Sequence, residues 1–349
     1  MTVTSATAYT WLYHYQKEET MDTINIVIAT PFSAEAQDKV RAVNPRVRLT
    51  DITDLARRDY QGDTQARKNL DAILAETEIV YGMRVPINLL PRAPKLKWIQ
   101  VTSAGVDRYL SDEFKRSSVM LTNVSGIHAT PIGEFVMEMM LMFAKKAPLC
   151  FEMKQKKEWG RFQGSVLRGK TVGIIGLGSI GQEVARLSRA FRMRVIATRR
   201  SPRKQTARNV DLLLPPNGLL RLLAESDYVA ICLPLTKETN KLIGESELRV
   251  MKPSAFIMNI GRGQIIDEDA LIKALEQKRI AGAGLDVYAT EPLPKESRLW
   301  DLPNLIYSPH VSGGQEDYEQ QATELFCRNV KRYTEGKRLI NLVNKELGY

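Results

Sequence analysis

The sequence predicts an α/β protein whose sheets are mostly parallel, and two observations support this prediction. Short runs rich in β-branched residues alternate with segments of helical periodicity from residue 23 onward, which is typical of βαβ units. A glycine-rich turn stands directly between a strand and a helix within this alternation. The chain has 349 residues, which is enough for two ordinary domains.

The first part of the chain contains few but clear elements. Residues 1–21 are polar and aromatic and lack the apolar run of a signal peptide, so we expect a flexible N-terminal extension. Strands are predicted over 24–28, 79–82 and 96–101, and a helix over 34–42. A second helix is predicted over 130–145, where Met, Phe and Leu recur at helical spacing and indicate packing in a core or an interface.

The second part has the alternation of a doubly wound, dinucleotide-binding domain. A buried-strand run over 171–175 precedes the glycine-rich turn, a helix is predicted over 182–191, and a second strand over 194–198. The further predicted strands cover 228–233, 255–260, 282–287 and 305–308.

The glycine-rich turn has the pattern GxGxxG, which is informative because of its place between strand and helix. Gly176 permits a tight turn, Gly178 lets the backbone approach a pyrophosphate, and Gly181 lets the helix pack closely on the strand. The first N–H groups of the helix then face the anion.

The end of the next strand predicts which cofactor is preferred. NAD sites usually have an acidic residue there, whereas NADP sites use arginine for the 2′-phosphate. This chain has Thr198, Arg199, Arg200 and Ser201, with no acid. We therefore predict a preference for NADP(H), with NAD possible. The alternative is that both arginines are ordinary surface charges.

Three further segments, residues 259–263, 286–292 and 308–313, each follow the carboxyl end of a predicted strand, where ligands bind in open α/β sheets. Arg262 offers a charged fork for a substrate carboxylate. His310 is suited to giving and taking a proton, because histidine ordinarily titrates near neutrality. The alternatives are a turn residue at Arg262, a solvated acid at Glu291 and a buried structural histidine at His310.

With these motifs in this order, the sequence resembles the D-isomer-specific 2-hydroxyacid dehydrogenase family from about residue 22 onward, and the glyoxylate/hydroxypyruvate reductases most closely. Besides the glycine turn and the three segments, the resemblance rests on residues 98–107, 167–170 and 233–236 together with Thr239. It implies hydride transfer between a nicotinamide and C2 of a small 2-keto or D-2-hydroxy acid, with Glu291 hydrogen-bonded to His310.

The resemblance also implies the remaining site residues. The substrate carboxylate is expected on the loop formed by Ser103, Ala104, Gly105 and Val106, whose N–H groups are suited to an anion. Asp286 is expected on the nicotinamide carboxamide. The other implied cofactor contacts are Ser179 and Ile180 on the pyrophosphate, Thr198 to Ser201 on the adenosine ribose, and Leu233, Pro234, Thr239, Ile260, Gly261, Arg262 and His310.

Two Rossmann-like domains with parallel sheets are the implied architecture. The substrate domain is expected to be discontinuous, from 22–125 plus 310–349, with the NAD(P)-binding domain inserted over 126–309. A homodimer is the family expectation. The alternatives are a formate dehydrogenase, which carries glutamine at the Glu291 position, and a non-catalytic NAD(H)-sensing module that binds protein partners.

Composition narrows the remaining function classes. The apolar fraction of 44% and the charged fraction of 26% are typical of a globular cytoplasmic protein. The net charge of +10 comes without a long basic block, so a nucleic-acid partner is not expected. Three scattered cysteines and three histidines indicate neither disulfides nor a metal site. No stretch is long and apolar enough to span a membrane.

Overall fold

The computed structural model describes residues 22–200 and 207–349, which form two compact units. The first unit ends at Lys97 and the second runs from Trp98 to Tyr349. The predicted extension over 1–21 and the predicted cofactor residue Ser201 lie outside the described residues. The predicted domain limits of 22–125 plus 310–349 and 126–309 stay a prediction.

The first unit is a βαβ arrangement built on a parallel sheet. Its central strand pairs in parallel with the other two strands, so their order is β2-β1-β3. Ile26 and Ile28 of the central strand are fully buried. The elements are β1 Ile24–Ile28, α1 Ala34–Arg41, β2 Val47–Asp51, α2 Thr53–Tyr60, α3 Thr64–Leu74, β3 Ile79–Gly82 and α4 Leu89–Arg92.

The second unit begins with a parallel strand pair covered by its last helix. The pair is β4 Trp98–Val101 with β5 Met120–Thr122. The buried Trp98 indole donates a 2.7 Å hydrogen bond to the Thr122 hydroxyl and lies 5.5 Å from the ring of Phe326. The helices around this pair are α5 Asp112–Arg116, α6 Ala129–Ala144 and α7 Ala147–Lys156.

The rest of the second unit is a seven-stranded parallel sheet with helices on both faces. Its elements are β6 Thr171–Ile175, α8 Ser179–Ala190, β7 Arg194–Thr198, β8 Leu212–Leu214, α9 Leu219–Glu225, β9 Tyr228–Ile231, α10 Glu245–Val250, β10 Phe256–Asn259, α11 Glu268–Glu276, β11 Gly282–Leu285 and β12 Leu305–Tyr307. The last helix, α12 Tyr318–Thr334, is the one that covers β4 and β5. The strand order is β12-β11-β10-β9-β6-β7-β8. The order reverses between β6 and β9, where open α/β sheets bind their ligands.

Two hydrophobic cores cover the faces of this sheet. One contains Val136 and Met140 of α6 with Val184 of α8, and the other contains residues of α9, α10 and α11 packed against the strands. Met139 and Met140 are almost completely buried, so the predicted packing role of the methionine-rich helix is confirmed.

The predicted elements agree with the structure to within a few residues, with two instructive differences. α8 begins at Ser179 rather than at 182, because its first turn consists of glycine-loop residues without an apolar pattern. The strands β2, β5 and β8 were not predicted; β5 and β8 have only three residues each, and three of the five residues in β2 are exposed. Across the described residues, no helix has the length and apolar character needed to cross a bilayer.

Candidate functional site

The glycine turn after β6 has the three properties that its sequence predicts. Gly176 has φ +101°, and a Cβ there would lie 2.7 Å from the Leu233 side chain. A Cβ on Gly181 would lie 2.2 Å from the Gly176 carbonyl oxygen, so the start of α8 packs directly on the turn. A Cβ on Gly178 would meet nothing within 4 Å. The middle glycine therefore leaves open space at the place where the protein backbone is predicted to approach the pyrophosphate of a cofactor.

The N-terminus of α8 opens onto that space. Gln182 donates the first hydrogen bond of the helix, 3.0 Å to the Gly178 carbonyl. The N–H groups of Ser179, Ile180 and Gly181 precede this bond, and such groups have no intrahelical acceptor. Together with the dipole of a 12-residue helix, they suit a pyrophosphate. These residues fit the dinucleotide that the fold implies.

The residues after β7 present positive charge at the edge of the crevice. Thr198 is buried, and its carbonyl accepts a 3.1 Å hydrogen bond from the Leu177 N–H, which ties the strand end to the glycine turn. The side chains of Arg199 and Arg200 are exposed. The structure therefore places two guanidinium groups directly after the strand that neighbours β6.

A short turn follows β9, the strand on the other side of β6 from β7. The Thr239 hydroxyl donates a 2.8 Å hydrogen bond to the Pro234 carbonyl and accepts one of 2.7 Å from the Thr236 N–H. The Leu233 carbonyl oxygen lies 2.6 Å from where a Gly261 Cβ would stand. The loops after β6, β9 and β10 are thus adjacent, as their strand order requires.

Cys232 directly follows β9. Burial raises the pKa of its thiol to about 12, so the thiol is neutral at physiological pH.

The loop that carries Arg262 is held by the side chain of Asn259, a residue that was not predicted for the site. The Asn259 amide nitrogen donates 2.8 Å to the Arg262 carbonyl, and its oxygen accepts 3.0 Å from the Gly261 N–H. Nη1 of Arg262 donates to the Gly261 carbonyl at 2.8 Å. The buried Ile260 precedes this turn. The arginine therefore projects from a rigid loop.

The guanidinium of Arg262 lies against the loop predicted to bind the substrate carboxylate. Nη2 and Nε lie 3.1 and 3.3 Å from Oδ1 of Asp107. A Cβ on Gly105 would stand 1.7 Å from Nη2, so only glycine allows this approach. Asp107 is a site residue that sequence reasoning missed: it is 155 positions from Arg262, and nothing in its local pattern marks the pairing.

The loop itself is shaped by hydrogen bonds to its carbonyls. The Ser103 hydroxyl donates to the Gly105 carbonyl at 2.8 Å, and Asn123 donates to the Ala104 carbonyl at 2.7 Å. Val106 is buried and fixes the end of the loop. Within the part of the chain that the structure describes, the N–H groups of Ala104, Gly105 and Val106 have no acceptor. They remain available for an anion beside the guanidinium.

His310 and Glu291 are in contact. Nδ1 of His310 lies 2.8 Å from Oε2 of Glu291, and Oε1 of Glu291 accepts a 3.1 Å hydrogen bond from the Tyr288 N–H. The carboxylate is therefore fixed at both oxygens, and Nε2 is the nitrogen of His310 left to face a ligand. His310 itself has φ +57°, a left-handed conformation that is uncommon outside glycine and is often found at functional sites.

The loop of His310 is anchored by Asp286, which is completely buried. Oδ1 accepts hydrogen bonds from the Ser308 hydroxyl at 2.7 Å and the Val311 N–H at 2.8 Å. Oδ2 accepts from the N–H and the hydroxyl of Ser312. The carboxylate thus binds the protein on both sides of His310, while its predicted contact with the nicotinamide carboxamide stays a prediction.

The Arg262 loop and the Glu291 loop pack on each other. A Cβ on Gly263 would lie 1.8 Å from the Tyr288 carbonyl carbon, and the Gln264 amide donates 2.9 Å to the Ala289 carbonyl. The Tyr288 hydroxyl donates to the Ser308 carbonyl at 3.1 Å. The fold therefore gathers the three segments after β10, β11 and β12 into one hydrogen-bonded cluster. No group of three or more His, Cys, Asp or Glu side chains suited to a metal occurs within residues 22–200 and 207–349.

Comparison with known proteins shows the family of this chain. Residues 137–312 match the family D-isomer specific 2-hydroxyacid dehydrogenase, NAD binding domain. A glyoxylate reductase of Thermococcus gammatolerans is 36% identical over 273 residues, which are 76% of this chain and 81% of that protein. A glyoxylate/hydroxypyruvate reductase B of Pectobacterium carotovorum is 35% identical over 284 residues, 78% of this chain and 87% of that protein.

A solved structure shares the fold as well. The NADPH-dependent glyoxylate/hydroxypyruvate reductase of Sinorhizobium meliloti, in complex with NADP and sulfate, has a TM-score of 0.79 at 26% identity, covering 94% of this chain and 100% of that chain. The predicted α/β class with parallel sheets is confirmed. This chain is therefore an oxidoreductase that belongs to the D-isomer specific 2-hydroxyacid dehydrogenase family.

Proposed function

We propose that this protein reduces a small 2-keto acid of the glyoxylate or hydroxypyruvate type to the corresponding 2-hydroxy acid, with NADPH as the preferred cofactor. The observation that supports the reaction best is the 2.8 Å contact between His310 and Glu291 on a loop anchored by Asp286. The names of the relatives from Thermococcus gammatolerans and Pectobacterium carotovorum support the substrate class.

Arg262, His310 and Glu291 have separate roles in the reduction of a 2-keto acid. Arg262 and the N–H groups of the 103–106 loop bind the substrate carboxylate, and the guanidinium polarises the neighbouring carbonyl. His310 gives a proton from Nε2 to the carbonyl oxygen and takes it back in the reverse direction. Glu291 accepts the hydrogen bond of Nδ1–H, which fixes the orientation of the ring and leaves Nε2 towards the substrate. The bound nicotinamide supplies or accepts the hydride.

The cofactor preference follows from Arg199 and Arg200 after β7. A 2′-phosphate is a dianion that guanidinium groups bind in a forked geometry, whereas an acidic residue would repel it. The NADPH dependence of the Sinorhizobium meliloti protein supports this choice. NAD remains a possible second cofactor, because the glycine turn is common to both.

The experiment is a spectrophotometric assay with NADPH and NADH against glyoxylate, hydroxypyruvate, pyruvate, phenylpyruvate and oxaloacetate. We expect turnover of glyoxylate or hydroxypyruvate with NADPH, and a loss of about 10²–10⁴-fold in kcat for His310→Ala. Arg199→Ala with Arg200→Ala is expected to raise the KM for NADPH far more than that for NADH. Equal effects on both cofactors would contradict the NADP preference.

A complete set of Arg262, Glu291 and His310 disfavours the alternative of a non-catalytic NAD(H) sensor. If the protein binds dinucleotide but turns over none of the five keto acids, the sensor becomes the better hypothesis. A cytoplasmic location also stays a prediction.

We further propose that the protein is a homodimer, as the family implies. Residues 147–166 of the second unit carry exposed apolar side chains, among them Trp159, which is 95% exposed, together with Phe151 and Val166. Exposed apolar groups gathered in one segment are typical of an interface. Sedimentation velocity is expected to show a dimer, and Trp159→Ser is expected to shift it towards monomer; a monomeric wild type contradicts the proposal.

A further inference from the structure

Arg200 has a partner from a distant part of the sequence. Its Nη1 donates a 2.6 Å hydrogen bond to the phenol oxygen of Tyr349. Its guanidinium carbon also lies over the Tyr349 ring, 5.4 Å from the ring centre. A cation over an aromatic face is attracted by the ring quadrupole. Two features of one side chain therefore restrict where this guanidinium lies.

Tyr349 is itself held by a compact turn. The Asn344 N–H donates 3.0 Å to the Tyr349 carbonyl, and the Gly348 N–H donates 2.9 Å to the Asn344 carbonyl. The Asn344 side-chain oxygen accepts from the N–H groups of Glu346 and Leu347 at 3.0 Å each. Gly348 has φ +80°, which a residue with a Cβ rarely adopts. The turn presents the phenol in a defined direction.

The turn is anchored to the rest of the second unit through Lys345. Its ammonium donates to the carbonyls of Phe114 and Ser117 at 3.1 and 2.8 Å and lies 4.5 Å from the centre of the Phe114 ring. Burial lowers the pKa of this ammonium. These contacts fix the segment that ends in Tyr349, so the phenol is a preorganised partner of Arg200.

The charge of Arg200 is not cancelled by its partner. Within the described ranges, its guanidinium takes part in no ion pair, and its hydrogen-bond partner is the neutral Tyr349 hydroxyl. Glu238 is in the wider surroundings: the hydrogen bond from the Thr236 hydroxyl, and then the charges of Arg200 and Lys237, lower the pKa of the Glu238 carboxyl. Within the described residues, Arg200 is therefore a cation held by a neutral partner, the Tyr349 phenol.

We propose that Tyr349 is a positioning residue for cofactor selectivity. Its hydroxyl and ring hold the Arg200 guanidinium so that the remaining N–H groups bind the 2′-phosphate of NADPH. A neutral phenol oxygen orients the arginine without reducing its attraction for a dianion, as a carboxylate would. The inference rests on the proposed use of NADPH and adds to it the residue that selects the phosphorylated cofactor.

Calorimetric binding of NADPH and NADH to the full chain tests the inference. Tyr349→Phe, which keeps the ring, is expected to weaken NADPH binding about threefold to fivefold, and Tyr349→Ala, which removes both contacts, about tenfold. NADH binding is expected to change by less than about twofold in either variant. Tyr60→Phe, at another exposed tyrosine, is the matched control and is expected to bind both cofactors like the wild type.

Combining the Tyr349 variants with Arg200→Ala distinguishes a failure of the inference about Tyr349 from a failure of the proposed cofactor preference. In that background Tyr349→Phe is expected to have no further effect, because the group it orients is gone. If Arg200→Ala weakens NADPH binding while both Tyr349 variants bind NADPH normally, the role of Tyr349 is overturned and the proposed cofactor preference stays intact. Equal weakening of NADPH and NADH in Tyr349→Ala also overturns it. Normal NADPH binding by Arg200→Ala overturns the inference, whereas the cofactor preference is contradicted only if the variant that combines Arg199→Ala with Arg200→Ala also binds NADPH normally.

Discussion

The second unit has two candidate binding regions, and the groups that line them are held in contrasting ways. In the region of Arg262 and His310, each side chain is held by another group: the arginine by Asp107 and the histidine by Glu291. At the glycine turn itself, the groups that face the crevice are main-chain N–H groups, and a Cβ on Gly178 would meet nothing within 4 Å. The difference indicates that the side chains of the first region have fixed orientations, whereas the second region leaves open space that a ligand can enter.

This comparison has a measurable consequence. Changes that disturb orientation near Arg262 are expected to reduce turnover and leave cofactor affinity intact, since catalysis depends on the position of the reacting groups. Changes that obstruct access at the glycine turn are expected to weaken cofactor binding and leave kcat at saturation intact.

The largest effect is expected for Gly105→Ala. The new Cβ would stand 1.7 Å from Nη2 of Arg262, so the guanidinium has to move away from the proposed carboxylate site. We expect kcat/KM for the keto acid to fall by about 10²–10³-fold, with the Kd for NADPH unchanged, as measured by steady-state kinetics and calorimetry. Gly244→Ala is the control, because its Cβ would meet its nearest neighbour at an ordinary 3.4 Å. A weakened cofactor affinity with normal turnover would break the comparison.

Gly178→Ala is expected to have the next largest effect, in the other region. A Cβ there meets nothing within 4 Å in the free protein, so the Tm is expected to stay unchanged. The methyl group nevertheless occupies the space for the pyrophosphate, and we expect the Kd for NADPH to rise about tenfold with kcat unchanged at saturation.

Gly181→Ala serves as the matched variant. Its Cβ would lie 2.2 Å from the Gly176 carbonyl oxygen, so this substitution is expected to lower the Tm by distorting the junction of strand and helix. A lowered Tm in Gly178→Ala would show that the middle glycine is required by the fold rather than by the ligand.

The contrast also explains how far the sequence predicts the site. The glycine turn is a local feature, because Gly176, Gly178 and Gly181 act within one turn whose strand and helix are visible in the sequence. The three segments that follow β10, β11 and β12 were predicted to meet for a topological reason: parallel strands place their carboxyl ends at the same edge.

Pairings across long separations were not predictable in this way. Asp107 reaches Arg262 across 155 positions, and Tyr349 reaches Arg200 across 149. Neither Asp107 nor Tyr349 has a local pattern that distinguishes it from a solvated surface residue. The role of Asp286 in holding Ser308 and Ser312 was missed for a related reason, since the sequence shows that a buried acid needs partners without showing which.

A smaller effect is expected for Asp107→Asn. Asparagine keeps an oxygen that accepts a hydrogen bond from Arg262, but it removes a negative charge that would repel the substrate carboxylate. We expect the KM for the keto acid to fall about twofold to fivefold, which is the order of a half-exposed ion pair. Steady-state kinetics at low ionic strength measure this change. A raised KM would instead mean that the charge of Asp107 is needed to hold the guanidinium in place.

The smallest expected effect concerns the stability of the fold. It rests on the difference between His310 and His128, whose ring lies beside Gly313 in the loop of His310. His310 is half-exposed and paired, whereas Nδ1 of His128 is buried without a hydrogen-bond partner within residues 22–200 and 207–349, and its ring lies 5.2 Å from that of Tyr318. Burial lowers the pKa of His128 from its ordinary 6.5, so the unfolded chain takes up the proton more readily than the folded one. The contribution of His128 to the free energy of unfolding is therefore fully present above about pH 6.5 and is lost as the pH falls below that value.

His128→Phe keeps the ring contact with Tyr318 and removes the titrating group. The Tm of this variant is therefore expected to fall less than that of the wild type between pH 7.5 and 5.5, with kcat unchanged. Parallel Tm profiles for the two proteins would show that His128 is not a source of acid sensitivity, and a reduced kcat would place it within the region that orients His310.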